Sequence, residues 1–329
     1  MQRSALMKIG GVLPIGFYGE FDGWEPARAW QRTLDVAALA ARLGFESVWT
    51  GEHLLGYGDG TSFVFGDGFT LMAAVAQAVP RIGIGYTTIC AGFRNPALTA
   101  KTASQLDVIS NGRLTFGIGA GWKENEFRAF GYDFPPRAQR IADLGDQLEI
   151  ITRMFASPAP VTWSGKFHHV AGAVNNPIGV RSPRVKLLVG GHGPNLTFRL
   201  AARFADELNI DITPAEVAAL MPIARERCEE IGRDPSTLEV SGLLGATWPW
   251  QGINARGQVM SRPGAARMTA DTPMPVLPSR AEGITQLMEA GAARAVAGLP
   301  GIGVSDDTLF DLVRDCETAG LPLEPSQAT

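Results

Sequence analysis

The chain has 329 residues and 45% hydrophobic residues, which can bury the core of one barrel-sized domain or of two smaller ones. Acidic and basic residues are mixed and the formal net charge is −4, which excludes the basic surface typical of nucleic-acid-binding proteins. Cys90, Cys228 and Cys316 match neither a zinc spacing nor a disulfide framework, so they indicate a reducing compartment. The early apolar run at 9–17 is broken by Gly and Pro and fits neither a signal peptide nor a membrane span. We therefore expect a cytoplasmic protein with no membrane or nucleic-acid partner.

Strand-like and helix-like segments alternate along the chain. The predicted strands lie within 9–17, 46–53, 81–90, 111–122, 185–191, 206–210, 238–246 and 294–299. The predicted helices cover 26–43, 70–79, 96–110, 141–155, 194–204, 214–231, 281–290 and 306–319, and a hairpin is expected around 164–165. Eight strands, most of them followed by a helix, predict the α/β class and a (β/α)8 TIM barrel.

No linker divides the pattern, so we predict a single domain spanning 1–329. The segment 248–280, rich in Pro, Gly and Met, follows the seventh strand, and it is expected to form a lid over the barrel mouth or a flexible insertion. The residues 321–329 are expected to form a loose tail.

The fourth strand, NGRLTFGIGAGW at 111–122, ends in three alternating glycines followed by Trp122. Three interpretations are open: a nucleotide-binding loop, a barrel mouth where a flat ligand approaches the backbone, or close packing against a helix. The dinucleotide fingerprint fits poorly, because the spacing is G-x-G-x-G and no clean helix or distal acidic strand end follows. The segment KENEF at 123–127 predicts at most one helical turn.

Reactive groups in a barrel gather where strands end. His53 and His192 lie at predicted strand ends; His53 is a candidate acid/base, with a purely structural histidine as the alternative. Glu52 points to the opposite face of its strand and is expected to orient a loop. His168 and His169 are expected to lie on the surface.

The run GGHG at 190–193, placed between a strand and a helix, predicts converging backbone N–H groups that bind an anion. A plain tight turn is the alternative. The sequence contains no metal-ligand spacing and no nucleophile elbow, which favours a cofactor that supplies the reactive atom.

Two stretches carry a family resemblance. The first is RNPALTAKTASQLDVISNGRLTFGIGAGW with the following Glu126 and Arg140, and the second is VKLLVGGHG with the helix after it and the run RFADELN. Together they resemble the bacterial luciferase-like superfamily of flavin- and F420-dependent oxidoreductases. The likeness covers about residues 34–210. It implies a flavin-type ring across the barrel mouth, with His53 at the reactive edge. It also implies a cis peptide bond between Thr88 and Ile89 behind the ring.

The resemblance implies F420-dependent hydride transfer to or from a small apolar organic substrate. The alternatives are an FMN-dependent monooxygenase that uses O2 and a partner flavin reductase, and a non-catalytic flavin-binding barrel. The implied cofactor-binding residues are Thr88, Ile89, Gly121, Trp122, Gly190, Gly191, His192 and Gly193. The expected substrate pocket comprises Phe17, Phe63 and Trp122, and we expect a homodimer.

Two departures from the F420 pattern bear on these expectations. Trp122 stands where the sugar-phosphate dehydrogenases of the F420 branch carry Glu, so that activity is not expected. Asn195 is neutral where many F420 enzymes carry a basic residue. His192, Arg199 and Arg184 are then the candidate contacts for the acidic tail of F420.

Overall fold

A computed structural model describes residues 6–57, 60–244, 252–253, 259–260, 278–299 and 301–324. The strands are β1 (Lys8–Val12), β2 (Ser47–Thr50), β3 (Gly83–Tyr86), β4 (Ile89–Cys90), β5 (Leu114–Gly119), β6 (Val161–Ser164), β7 (His169–Ala173), β8 (Lys186–Gly190), β9 (Glu207–Ile210), β10 (Glu239–Leu244), β11 (Gly252–Ile253), β12 (Val259–Met260) and β13 (Arg294–Ala297). The helices are α1 (Pro26–Arg42), α2 (Gly68–Ala78), α3 (Pro96–Ile109), α4 (Glu124–Ala129), α5 (Arg137–Ala156), α6 (Thr197–Phe204), α7 (Pro214–Glu229), α8 (Arg280–Ala290) and α9 (Asp307–Thr318).

Eight parallel strands of the described residues close into a barrel in the order β3-β2-β1-β13-β10-β9-β8-β5, and β3 pairs with β5 to complete the ring. Every residue of β2, β5, β9 and β13 is buried, as expected for strands covered on both faces. The predicted (β/α)8 TIM barrel is confirmed. It places the carboxyl ends of all eight strands at one mouth.

Local sequence signals account for the helix boundaries. The Asn95 side chain accepts hydrogen bonds from the N–H groups of Ala97 and Leu98, and Pro96 occupies the first helical position of α3. Capping boxes open α7 and α8, and α8 ends at Gly291 with φ +83°. These signals are local, which is why they could be read from the sequence.

The third barrel strand is interrupted by a bulge. Pairing stops at Tyr86 and resumes at Ile89, where β4 pairs with β5. The cis peptide bond joins Thr87 and Thr88, so its predicted place between Thr88 and Ile89 is wrong by one residue. The family resemblance implies an interruption near this point, but contacts with neighbouring strands decide which residue forms it.

Three peripheral segments complete the described structure. The predicted hairpin is confirmed as the antiparallel pair β6–β7. Most of 248–280 lies outside the described residues, apart from the short antiparallel pair β11–β12. Leu321 is 2% exposed and the backbone of Glu324 lies against Gly44, so the chain remains packed to residue 324, and 325–329 lie outside the described residues. No described helix is long and apolar enough to cross a membrane.

Candidate active site

His53 follows β2 at the barrel mouth, and three side chains fix its ring. Its Nδ1 lies 3.1 Å from Oε1 of Glu126. The ring of Phe17 stacks on it with 3.8 Å between centroids, and Trp122 approaches edge-on at 5.7 Å. A carboxylate on Nδ1 favours the tautomer that carries its proton there, which leaves Nε2 as the nitrogen that can exchange a proton.

Glu126 is the buried acid of the site. Its side chain is 2% exposed and lies on α4. Besides His53, its Oε1 accepts the N–H of Leu55 at 3.3 Å and lies 3.2 Å from Nζ of Lys123. Lys123 also donates to the Gly56 carbonyl at 2.9 Å, and burial lowers its pKa while the pair with Glu126 opposes that shift. The carboxylate therefore ties the His53 loop to α4.

Sequence reasoning gave α4 no clear helix and Glu126 no role beyond its place in the family motif. The helix has only six residues, too short for a periodic apolar stripe to identify it. A usable signal was the i, i+3 spacing of Lys123 and Glu126, which places opposite charges on one helix face.

Glu52, next to His53 in the chain, has the orienting role expected of it. It accepts the N–H of Cys90 at 3.1 Å and that of Gly68 at 3.4 Å, and it pairs with Arg94 at 2.6 Å. These contacts join the end of β2 to β4 and α2. The position of His53 is consequently held from both sides of the loop.

The strand-end glycines make room for the bulge of the third strand. A Cβ at Gly119 would lie 2.6 Å from Oγ1 of Thr88, and one at Gly190 would lie 2.5 Å from its Cγ2. A Cβ at Gly117 would overlap the carbonyl oxygen of Tyr86. Of the three interpretations, these contacts support close packing, with the bulge rather than a helix as the partner.

Gly121 follows the same logic with a helix. A Cβ there would lie 2.7 Å from both Sγ of Cys90 and the ring of Phe127 on α4, and its φ is +76°. Burial raises the pKa of the Cys90 thiol to about 12, so this cysteine is neutral and supplies no thiolate. The mouth therefore gains no nucleophile from Cys90.

Fewer backbone N–H groups converge at 190–193 than the predicted anion nest requires. The N–H of Gly191 donates to the carbonyl of Asn209 at 2.9 Å, so it does not point to a ligand, and this part of the prediction is wrong. The N–H of Gly193 has no acceptor among the described residues. A Cβ at Gly193 would lie 3.3 Å from Nη2 of Arg137. Gly193 and Arg137 therefore bring together an N–H group and a cation.

Arg137 was missed because it begins α5 four residues before the first apolar residue used to predict that helix. His192 lies with Nδ1 2.7 Å from Oδ1 of Asp211. Arg199 pairs with Glu230 at 3.0 Å on the surface. Both predicted tail contacts are thus already beside carboxylates.

The expectation that Arg184 contacts the acidic tail of F420 is wrong. It precedes the first residue of β8, at the amino end of the barrel, and pairs with Asp206 at 2.6 Å. A residue before a barrel strand lies at the opposite end from one after it, so Arg184 cannot contact a ligand at the mouth.

The aromatic wall of the mouth differs in part from the predicted pocket. Phe17 contacts Tyr18 and Tyr57 at centroid distances of 4.8 and 5.7 Å, and Trp122 is 47% exposed. Phe63 packs instead against Phe65 at 5.0 Å and Phe21 at 6.3 Å. Tyr18 and Tyr57 join Phe17 because their loops meet at the mouth, which sequence spacing did not show.

Thr88 and Ile89 face different surroundings. Thr88 is half-buried between β5 and β8, whereas the side chain of Ile89 is 1% exposed in the core. Any contact of Ile89 with a ligand would therefore come from its backbone. Of the remaining histidines, His168 is half-buried with Nε2 2.5 Å from Asp143, so it is not merely a surface residue. Among the described residues, no group of three or more His, Cys, Asp or Glu side chains could hold a metal ion.

Over about half of its length the chain is similar to individual proteins of known activity. The chain is 27% identical over 166 residues to the F420-dependent glucose-6-phosphate dehydrogenase of Amycolatopsis mediterranei, covering 49% of this chain and 47% of that protein. It is 30% identical over 141 residues to the 4-hydroxyprotoasukamycin monooxygenase of Streptomyces nodosus subsp. asukaensis, covering 43% and 36%. The chain thus spans about half the length, or less, of these two curated relatives.

Solved structures and a family model extend the comparison to most of the chain. An F420-dependent secondary alcohol dehydrogenase, solved with an F420–acetone adduct, superposes with a TM-score of 0.72 at 22% identity over 94% of this chain and 99% of that one. The EDTA monooxygenase of Chelativorans sp. BNC1 gives 0.70 at 15% identity over 98% and 100%. Identities this low show the fold alone. The luciferase-like monooxygenase family model matches residues 7–247, and the chain belongs to that family.

Proposed function

We propose that this chain is an oxidoreductase that uses F420 to transfer a hydride to or from a small apolar organic substrate. The observation that carries the proposal is the pair of His53 and buried Glu126, 3.1 Å apart at the barrel mouth beneath an aromatic wall. A hydride transfer at an alcohol or ketone carbon needs a partner that moves one proton at the oxygen. An imidazole fixed through Nδ1 supplies that partner at Nε2.

The structure fits a phosphate-bearing cofactor of the flavin type. The N–H of Gly193, which has no acceptor among the described residues, and the nearby Arg137 suit a phosphate group. Trp122, which is 47% exposed, offers aromatic surface beside His53 for a flat ring. When bound, such a cofactor supplies the hydride or the reactivity toward oxygen that the side chains of the mouth lack.

This chain's own residues then have separable tasks. Glu126 holds Nδ1 of His53, so Nε2 stays directed to the mouth and can give or take the substrate proton. Glu52 holds the backbone of the same loop. Phe17 and Trp122 shield the imidazole from water and favour apolar substrates. Because the mouth is mostly aromatic, charged sugar phosphates are poor candidates.

The similarity to two F420-dependent enzymes supports the choice of F420, and Arg137 provides a cation for its acidic tail. One observation favours FMN as the second candidate. The carboxylates of Asp211 and Glu230 lie beside His192 and Arg199, which reduces the positive charge available for a long acidic tail. In that case the chain is a monooxygenase that depends on a partner flavin reductase. The homodimer and the cytoplasmic location remain predictions.

The experiment that decides is titration of the apoprotein with F420 and with FMN at low and at raised salt. F420 should bind more tightly and should weaken more with salt, because its tail carries more charge. Micromolar FMN binding without detectable F420 binding would reverse the assignment. Cofactor binding without turnover across a broad panel of alcohols, ketones and aldehydes would instead support the non-catalytic barrel.

A further inference from the structure

A cavity of about 270 Å³ lies at the amino end of the barrel, opposite to His53. Three of its lining residues are the first residues of barrel strands: Lys8 of β1, Lys186 of β8 and Arg294 of β13. Lys8 and Arg294 are register partners on neighbouring strands. Because the active-site residues follow strands and these residues begin them, the cavity is separate from the site at the mouth.

The charge of this cavity is strongly positive. Six cationic side chains line it, from Lys8, Arg81, Arg113, Arg181, Lys186 and Arg294, against the single lining carboxylate of Glu46. Glu207 and Glu239 contact Lys186 at 2.8 and 2.5 Å, which leaves three positive charges in excess. The chain as a whole carries −4, so this cationic end is not a result of overall composition.

Two of the six cations are largely matched by an internal acid. Glu207 is fully buried and lies 2.5 Å from Arg294 and 2.8 Å from Lys186. Burial opposes its ionisation, yet Arg294 and Lys186 together lower its pKa to about 2. Lys186 and Arg294 line the cavity and Glu207 lies beneath them, so the role of these two cations is accounted for by their contacts with that carboxylate.

The remaining cations have no such match. Arg113 donates to four backbone carbonyls, those of Ser110, Val79, Ile82 and Ala76, at 2.6–3.3 Å, so it brings charge to the cavity but few spare donors. Arg181 donates to the carbonyl of Leu114 at 3.3 Å. Hydrogen bonds to carbonyls position a guanidinium but do not neutralise its charge. In the part of the chain that the structure describes, neither arginine takes part in an ion pair.

Lys8 and Arg81 are exposed at the rim. Lys8 interacts electrostatically with Glu46 without forming a close ion pair, and Arg81 has no ion-pair partner within the described residues. Arg81 has φ +81°, a left-handed conformation that few residues other than Gly and Asn adopt without strain. The turn between α2 and β3 would be better served by either of those residues. The guanidinium of Arg81 is therefore a feature that the turn itself does not require.

We propose that this cavity binds a small, doubly charged oxyanion of the phosphate type. Guanidinium groups match the oxygens of phosphate in paired hydrogen bonds, and among the described residues Arg81 and Arg181 have no carboxylate partner and keep donors for such contacts. Arg113 adds its charge, because its donors are bonded to backbone carbonyls. The volume is at the small end of the roughly 300–1,000 Å³ range of ligand pockets, which suits a small anion. This anion site does not depend on the identity of the cofactor or of the substrate at the mouth.

Titration calorimetry of the full chain with inorganic phosphate, at constant ionic strength set with sodium chloride, tests the proposal. The double variant Lys8→Gln/Arg81→Asn removes the two rim cations, and Asn tolerates the left-handed turn. Its matched control, Arg128→Gln/Lys166→Gln, removes two exposed cations elsewhere on the surface. We expect phosphate affinity to fall at least tenfold in the first variant and less than twofold in the control. Equal affinity in both variants, or no phosphate binding by the wild type, would overturn the proposal.

Phosphate could also bind at the mouth beside Gly193, so Arg137→Gln is measured in parallel. Binding that disappears in Arg137→Gln and persists in Lys8→Gln/Arg81→Asn would assign it to the mouth and overturn the proposal. Cofactor titration should be the same in Lys8→Gln/Arg81→Asn as in the wild type, which keeps this test independent of the proposed function. Glycerol 3-phosphate as a second titrant distinguishes the sources: weaker binding than phosphate indicates a free anion, and equal or tighter binding indicates an ester, with the site supported in either case.

Discussion

Replacing Glu126 with glutamine tests whether the carboxylate acts through His53. The substitution keeps the shape of the side chain but removes the charge that holds Nδ1 at 3.1 Å. Hydrogen bonds to charged groups contribute about 1.5–3 kcal/mol, against about 0.5–1.5 kcal/mol for neutral pairs. The expected loss is therefore about 1–2 kcal/mol in the reactive orientation of His53, or roughly 5- to 30-fold in kcat.

The assay is steady-state turnover of Glu126→Gln with the best substrate from a panel, together with cofactor titration. Cofactor affinity should stay within tenfold of the wild type, about 1.4 kcal/mol, because Glu126 is buried behind the imidazole. The matched control is Glu124→Gln, the same change on the same helix at a side chain that is 53% exposed and pairs with Arg128. It should leave kcat within twofold.

A double-mutant cycle supplies the refuting result. His53→Ala should lose roughly 10²-fold in turnover while it keeps cofactor binding within tenfold. In that background Glu126→Gln should cost nothing more, since the group through which it acts is already gone. Additive losses in the double variant would show that Glu126 acts independently of His53. Unchanged turnover in His53→Ala would remove the histidine from the mechanism.

Three further predictions concern the stability of the barrel and the phosphate site beside Gly193 at its mouth. Gly117→Ala would drive a methyl group into the Tyr86 carbonyl and should destabilise the fold by about 3 kcal/mol or more, read from urea denaturation. The control is Gly145→Ala in α5, where the new methyl meets only the side chain of Leu200, at 3.1 Å, and its effect should be far smaller; equal effects would contradict the packing argument. Arg294 and Lys186 lower the pKa of Glu207 in the fold to about 2, against an ordinary 4.5. The ionised carboxylate should therefore add about 3 kcal/mol to the free energy of unfolding above pH 4.5, and this stabilisation should be lost as the pH falls toward 2. Denaturation midpoints of wild type and Glu207→Gln between pH 5 and 2.5 check this; parallel curves would refute it. Arg137→Gln should weaken cofactor binding about 2- to 10-fold and flatten its salt dependence, and an unchanged salt dependence would remove Arg137 from the phosphate site.

The barrel could be predicted because its signals are repeated and local. Each strand is a short apolar run, and caps such as Asn95 and the glycine after α8 lie within a few residues of the boundaries they set. A missed boundary at one strand does not change the count of eight. The position of His53 at the mouth followed from the same count, because it ends the predicted second strand, three residues beyond Thr50.

The parts that failed depend on contacts between distant segments. The loss of Gly191 from the anion nest is caused by Asn209, eighteen residues later on the next strand. The bulge at Thr88 is fixed by glycines on β5 and β8, which no local pattern links to it. The expected ligand contact of Arg184 failed for a related reason. Arg184 is near GGHG in sequence, but the two lie at opposite ends of β8 and therefore at opposite ends of the barrel.

The contact of Thr88 with Gly119 and Gly190 has a consequence for attempts to redesign this enzyme by directed evolution. The three positions behave as one steric unit, since any side chain at 119 or 190 would occupy the volume that Thr88 fills. A library that randomises these positions singly will recover mostly inactive clones, whatever substrate is selected for. Libraries aimed at new substrates should hold this trio constant, keep Phe17, which is buried and stacks on His53, and vary Tyr57 and Trp122 at the mouth.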